Sequence, residues 1–329
     1  MSKTGIPYLT EGWNPLIGCT PASEGCANCW ARALHDMRHA AWLRGKKMPA
    51  QYRRPFSSIQ LLDDRLLEPL SYRTPRRCGV CFQSDWAHEN VPNGTRDAIL
   101  AVMLLASDRH LFFTLTKRTA ELVTYLTDPD LRDRLEDAGT DIAHGQMAST
   151  AYYMQRLEEG LANWPPRHIL IGYTAENQPR FERRAADVSR LVGWRAWCSA
   201  EPLLGPLDVL GTTERCGTQI PCCDRPDCEY CAGTGTAQGL NLEWMVPGGE
   251  SDSDRPCDVE WISQIVTDCE AGGIRCYVKQ LGAHPVGPFR APGAFGFDHG
   301  QVQLRDRAGA DPAEWPEGLR VRQLPEVHA

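Results

Sequence analysis

The chain of 329 residues has no run of about 18 apolar residues, and its start, "MSKTGIPYLTEGW", lacks a basic stretch followed by an apolar one. The first absence argues against a helical membrane span and the second against a secretion signal, so the expected setting is cytoplasmic and away from the membrane. An excess of positive charge is also missing, the formal net charge being −7. Broad, sequence-independent nucleic-acid binding rests on neutralising phosphates, so any such contact is expected to be local, at stretches such as "YRRPF" or "TPRRC". No long internal repeat appears, and a 42% hydrophobic, 23% charged composition is that of a globular protein able to bury a core.

What the sequence does hold is cysteine, 14 residues of it. In a reducing compartment thiols stay free, so clustered cysteines read as metal ligands or catalytic groups and not as a disulfide framework. The segment "GCTPASEGCANCWA" places Cys19, Cys26 and Cys29 at C-x6-C-x2-C spacing. Three thiolates from one compact loop suit a 4Fe-4S cluster with one iron open to a ligand. The alternative is a zinc knuckle completed by a distant Cys or His.

Short apolar runs recur along the chain: "GVCFQSD", "LFFTLTKR", "HILIGYTAEN", "RAWCSAEP", "LEWMVPGGES" and "IRCYVKQ". Each reads as a buried strand. Between them, "TRDAILAVMLLAS" and "VEWISQIVTDCEAGG" carry apolar residues at helical spacing, the second closing on a Gly pair. Residues 126 to 166 read as polar helix, with "AGTDIAHGQMAST" as a flexible loop. Alternating strands and helices predict an α/β fold with a mainly parallel sheet whose functional groups lie at the C-terminal ends of strands. Residues 212–240 interrupt it as a Cys-rich insertion, and residues 286–329 read as a Gly- and Pro-rich wrapping tail.

The motifs "GWNPLIGCTPASEGCANCWA", "LTKR", "TAENQPR", "SAEPLLGPLD", "PGGES" and "YVKQLG", in this order, resemble a phage-encoded family assigned to the radical S-adenosylmethionine enzymes. Over about forty residues, "CFQSDWAHENVP" followed by "TLTKR" is also distantly similar to spore photoproduct lyase, a DNA-repair enzyme. The resemblance implies a partial (β/α)6 TIM-type barrel over residues 1–285, a 4Fe-4S cluster that binds S-adenosyl-L-methionine, and reductive formation of a 5'-deoxyadenosyl radical. It implies an electron donor such as flavodoxin or ferredoxin. Two departures stand out: the usual first gap is three residues, not six, and Trp30 follows the last Cys instead of an aromatic preceding it.

Such a cofactor needs an anion for its ammonium, a cation for its carboxylate and polar groups for its ribose. Ser84 and Asp85 are candidates for the ammonium, Lys117 for the carboxylate, Glu176 and Asn177 for the ribose, and Thr116 is a further cofactor-binding candidate, against ordinary duties as turn residues, helix caps or solvated strand ends. Glu201, Gly248, Gly249 and Glu250 follow later strands and are placed near cofactor or substrate; Lys279 and Gln280 close the last one. Cys81 is a candidate hydrogen-atom donor to a substrate radical, by likeness to the lyase, and His88 a candidate loop base.

The insertion supplies Cys216, Cys222, Cys223, Cys228 and Cys231, with "CEYCAGTG" forming a glycine-supported C-x2-C knuckle. Structural Zn2+ is expected there, an auxiliary iron-sulfur cluster being the alternative. The favoured substrate is a nucleobase, nucleotide or DNA, met by Trp86, Arg118 and Trp197. A peptide or small metabolite is the second choice, and a non-enzymatic, metal-stabilised nucleic-acid-binding module the third.

Overall fold

The computed structural model describes residues 1–211, 242–288, 297–298 and 300–326. The chain forms two compact units, one of residues 1–172 with 191–195, the other of 173–190 with 196–326. The described residues form an α/β fold with a mostly parallel main sheet.

The first unit contains β1 (Ser2–Lys3), β2 (Glu11–Trp13), β3 (Leu16–Ile17), α1 (Trp30–Leu43), β4 (Gln60–Leu61), α2 (Asp63–Leu66), α3 (Glu68–Ser71) and β5 (Arg76–Val80). It continues through α4 (Asn93–Leu105), β6 (His110–Thr114), α5 (Thr119–Leu126), α6 (Leu131–Gly145) and α7 (Thr150–Ala162) into β7 (Ile169–Thr174), within which the unit ends. β2, β5, β6 and β7 lie side by side and parallel, with β1 antiparallel on β2. The "LFF" run of β6 is buried along its length, and α4, packed against α6 and α7, carries a continuous buried stretch from Ile99 to Leu105. Continuous apolar runs of this kind mark strands covered on both faces.

The expected loop over residues 138–150 is helix instead: α6 runs to Gly145 and, after a single 3-10 turn at Met147–Ser149, α7 starts at Thr150. Gly139 explains the difference. A Cβ there would lie 2.6 Å from Leu157 Cδ1, so the glycine lets α6 and α7 pack closely and does not mark a break.

The second unit contains the end of β7, α8 (Gln178–Val188), β8 (Arg195–Ala200, from Ala196), β9 (Leu242–Pro247), β10 (Cys257–Asp258), α9 (Val259–Ala271) and β11 (Arg275–Cys276). Its strands run in the order β7, β8, β9, β11, and β9 is parallel to both neighbours. A small sheet of β10, β12 (Pro285–Val286), β13 (Phe297–Asp298) and β14 (Gln301–Val302) follows. The C-terminal segment is part of this unit's core. Val278 N–H donates to Val321 O at 2.9 Å, Trp244 Nε1–H to Gln323 O at 2.8 Å, and Trp315 is fully buried.

Candidate functional site

In the first unit three loops leave the C-terminal ends of the parallel strands β2, β5 and β6, and they are bonded to one another. The loop after β2 carries the cysteines. Gly18 has φ +97°, and a Cβ on it would lie 2.3 Å from Ser58 O, so only glycine fits. Its N–H donates to Gln83 O at 3.2 Å and its carbonyl accepts from Ser84 Oγ at 2.5 Å, while Cys19 N–H donates to Phe56 O at 2.8 Å. Ser84 thus clamps the approach to Cys19.

The loop after β5 turns at Cys81, a non-glycine residue at φ +58°, and delivers Asp85 into the interior. Asp85 Oδ1 accepts from Thr116 Oγ1 at 2.6 Å and Ala87 N–H at 3.1 Å; Oδ2 accepts from Lys117 N–H at 3.1 Å and Arg118 Nη1 at 3.3 Å. The loop after β6 thereby closes on the loop after β5.

Arg118 completes the arrangement, with its five N–H groups matched by five acceptors. Nε donates to Glu89 Oε2 (2.7 Å), Nη1 to Asp85 and to Cys19 Sγ (3.7 Å), and Nη2 to Thr20 O and Oγ1 (2.9 Å each). Burial alone disfavours its charge, and Asp85, Cys19 and Glu89 more than compensate, raising its pKa. Thr20 Oγ1 also meets His88 Nε2 at 2.7 Å. Because His88 Nδ1 accepts from Asn90 N–H at 3.1 Å, the ring proton is assigned to Nε2, and burial together with Arg118 keeps the imidazole neutral by lowering its pKa.

Cys19, Cys26 and Cys29 are half-buried free thiols. Burial, with Asp85, pushes the Cys19 thiol up to about 12 against the pull of Arg118. Cys26 Sγ accepts from Ala22 N–H at 3.4 Å, and Arg32 Nη2 fixes the loop exit by donating to Cys26 O (3.1 Å) and Ala27 O (2.7 Å). Among the described residues, no three His, Cys, Asp or Glu side chains are grouped to hold one metal ion. A single tetrahedral ion with bonds of about 2.3 Å draws its thiolates close together, whereas a cluster binding each thiolate to a different iron keeps them apart. The Ala22 N–H and the Arg118 guanidinium are donors at the Cys26 and Cys19 sulfurs, as thiolate ligation of either kind requires of its surroundings.

In the second unit the strand ends carry ion pairs. Glu176 is fully buried and takes Arg184 Nη1 at 2.6 Å; Asn177 caps α8, accepting from Arg180 N–H at 3.2 Å. Glu201 receives Lys279 Nζ on both oxygens, at 2.6 and 2.7 Å, and Gln280 Nε2 at 3.2 Å. Glu250 forks with Arg255 (2.7 and 2.6 Å) and accepts from Ser253. At Gly249 a Cβ would lie 2.2 Å from Leu281 O, and at Gly248 3.2 Å from Gln280 O.

A family model matches residues 3–308, which takes in every residue of both arrangements. The chain belongs to the DUF5131 family. That family is described as a protein of unknown function. No curated protein and no solved structure matches the chain.

In this DUF5131 protein Ser84 bonds the Cys19 loop directly, at Gly18 O, while Asp85 and Thr116 bond each other and reach that loop through Arg118. Asp85 carries four donors on its two oxygens, which fix the carboxylate between the loops after β5 and β6. The cation beside Cys19 and Asp85 is Arg118, and Lys117 contributes its backbone N–H. Nothing in "TLTKR" tells the two neighbouring cations apart; their order along the chain decides which faces the loop. Cys81 is buried, which pushes its thiol up to about 12. Trp86 and Trp197 are fully buried core residues, not base-stacking surfaces. In the second unit, Gly248 and Gly249 approach their own chain, and Asn177 serves as a helix cap. Thr20, Glu89, Arg184 and Arg255 were not legible as partners, because each is recognised only through the residue it meets. Cys216, Cys222, Cys223, Cys228 and Cys231 lie outside the described residues.

Proposed function

We propose that the chain is a radical S-adenosylmethionine enzyme built on a partial (β/α)6 barrel, with Cys19, Cys26 and Cys29 holding a 4Fe-4S cluster and a nucleobase, nucleotide or DNA as substrate. The observation that carries this reading is the bonding of the cysteine loop to the carboxyl ends of two neighbouring parallel strands, through Gly18–Ser84 and through Thr20 and Cys19 to Arg118. Carboxyl ends of parallel strands are where α/β proteins place ligands and reactive groups. When bound, cluster and S-adenosylmethionine together supply a one-electron cleavage that yields a radical able to abstract hydrogen.

The chain's own residues have distinct tasks in this reading. Ser84 and Gly18 fix where Cys19 stands. Arg118 places positive charge and an N–H at the Cys19 sulfur and holds Thr20 in place; Asp85 orients Arg118. His88, neutral and donating through Nε2, orients the Thr20 hydroxyl. The insertion cysteines are assigned to a structural metal, zinc by preference.

Anaerobic reconstitution with iron and sulfide tests the reading. The wild type is expected to gain visible absorption and, with reductant and S-adenosylmethionine, to release 5'-deoxyadenosine. Replacing Cys19, Cys26 and Cys29 together by Ala is expected to abolish both while leaving the insertion metal bound. Zinc alone at these three cysteines in the reconstituted wild type would refute it.

A further inference from the structure

The segment from Trp30 to Arg54 concentrates positive charge in an acidic chain. It holds seven Lys and Arg residues and one carboxylate, Asp36, although the whole chain carries −7. Two of the seven are used within the fold: Arg32 binds the cysteine loop, and Arg38 bonds to Tyr52 Oη and lies 5.0 Å over its ring. The other five, Arg44, Lys46, Lys47, Arg53 and Arg54, are exposed and have no ion-pair or side-chain hydrogen-bond partner among the described residues.

The fold brings these five onto one substructure. His39 Nδ1 bonds to Tyr52 O and His35 Nε2 to Arg54 O, each at 2.9 Å, which lays residues 50–54 along α1. Arg44, Lys46 and Lys47 leave the C-terminal end of the same helix, where the chain turns at Gly45 (φ +81°). α1 also exposes apolar side chains: Trp30 is 49% exposed, Met37 60% and Leu43 66%. Trp30 begins the helix, immediately after Cys29.

We propose that this face of α1 and residues 44–54 docks the phosphate backbone of a nucleic acid. Five unpartnered cations with no carboxylate among them match a repeating anion, with Lys as point charge and Arg as fork. The centres of protein–protein interfaces are depleted in Lys, which counts against a folded protein partner. An exposed Trp offers a base a stacking surface without sequence preference. The inference rests on the reading above, in that it names a polynucleotide, not a free nucleotide, as what brings the substrate to the cysteine loop.

The test is fluorescence anisotropy of the full chain, without reductant or S-adenosylmethionine, against a labelled single-stranded DNA, an RNA of the same sequence and the corresponding duplex. Binding of at least one is expected, with a log–log salt slope for single strands of no more than about −3.5, the value for five phosphate contacts. The double variants K46E/K47E and R53E/R54E are each expected to weaken binding at least tenfold with an unchanged thermal midpoint, since these side chains have no partners to lose. Wild type that binds none of the three, or variants that bind as wild type does, overturn the proposal. So does a result in which the variants lose binding to a flavodoxin but keep it to nucleic acid, which would assign the face to an acidic electron donor. Failure here leaves deoxyadenosine formation untouched, and failure of that chemistry leaves this binding untouched.

Discussion

Arg118→Met removes the guanidinium while keeping a side chain of similar length, and its cost follows from what is left behind. Asp85, 7% exposed at its side chain, keeps the Thr116 hydroxyl and the N–H groups of Ala87 and Lys117 but loses the Arg118 guanidinium that pairs with it. Breaking a buried pair from one side costs about 3 to 5 kcal/mol, and three surviving donors reduce this to about 2 to 4. Thr20 loses two further bonds. With about 3 kcal/mol lost, and about 2 to 4 °C per kcal/mol for a unit of this size, the first unfolding transition of the apo protein should fall by about 6 to 12 °C. Arg118→Lys keeps the charge but not the fork, and is expected to lose about half as much. Asp85→Asn combined with Arg118→Met should be less destabilising than the sum of the two, with a coupling above about 1 kcal/mol. Calorimetry at pH 7 reads all five proteins, the single Asp85→Asn variant and the wild type included. A midpoint within 2 °C of wild type for Arg118→Met, or strict additivity in the double variant, refutes the argument that Arg118 holds the three loops together.

In the second unit, Arg184→Met breaks the buried pair with Glu176 from the cation side and Glu176→Gln breaks it from the anion side, leaving a buried guanidinium, so each is expected to cost about 3 to 5 kcal/mol by urea unfolding. His168 makes acid stability measurable. Burial lowers its pKa to about 4, and its Nε2 bonds to Met103 O at 2.9 Å. The folded state therefore prefers the neutral ring, so its contribution is complete above the unfolded value of about 6.5 and is lost as pH falls toward about 4. Stability should drop through this window by at most about 1.4 kcal/mol per pH unit for this group, and His168→Gln should flatten the profile, as read by denaturant midpoints at pH 7, 5.5 and 4.5.

Elements were legible where the chain obeys one periodicity. The "LFF" and "ILIG" runs became β6 and β7, and "TRDAILAVMLLAS" became α4. The stretch around Gly139 was not, because a glycine that admits Leu157 and a glycine that ends a helix are the same letter. The candidate site was legible to the same extent. Polar residues at strand ends identified Ser84, Asp85 and Thr116, whose types suit buried bonding. Their partners lie far along the chain, 66 positions between Gly18 and Ser84 and 99 between Cys19 and Arg118, and no local pattern encodes such pairings. Gly249 shows the limit from the other side: the Gly pair does signal close backbone approach, and the letters alone do not say that Leu281 of the same chain is what approaches.

The span between Cys19 and Arg118 also sets a clock. A growing chain lengthens by about 5 to 20 residues per second, so the three cysteines leave the ribosome about 5 to 20 s before the guanidinium that fastens their loop. During that interval Ser84 and Gly18 can already meet, but Thr20 and Cys19 have no Arg118 to bond. Their loop is fastened only when the end of β6 arrives. Order of synthesis thus separates the appearance of the thiols from the fixing of their loop.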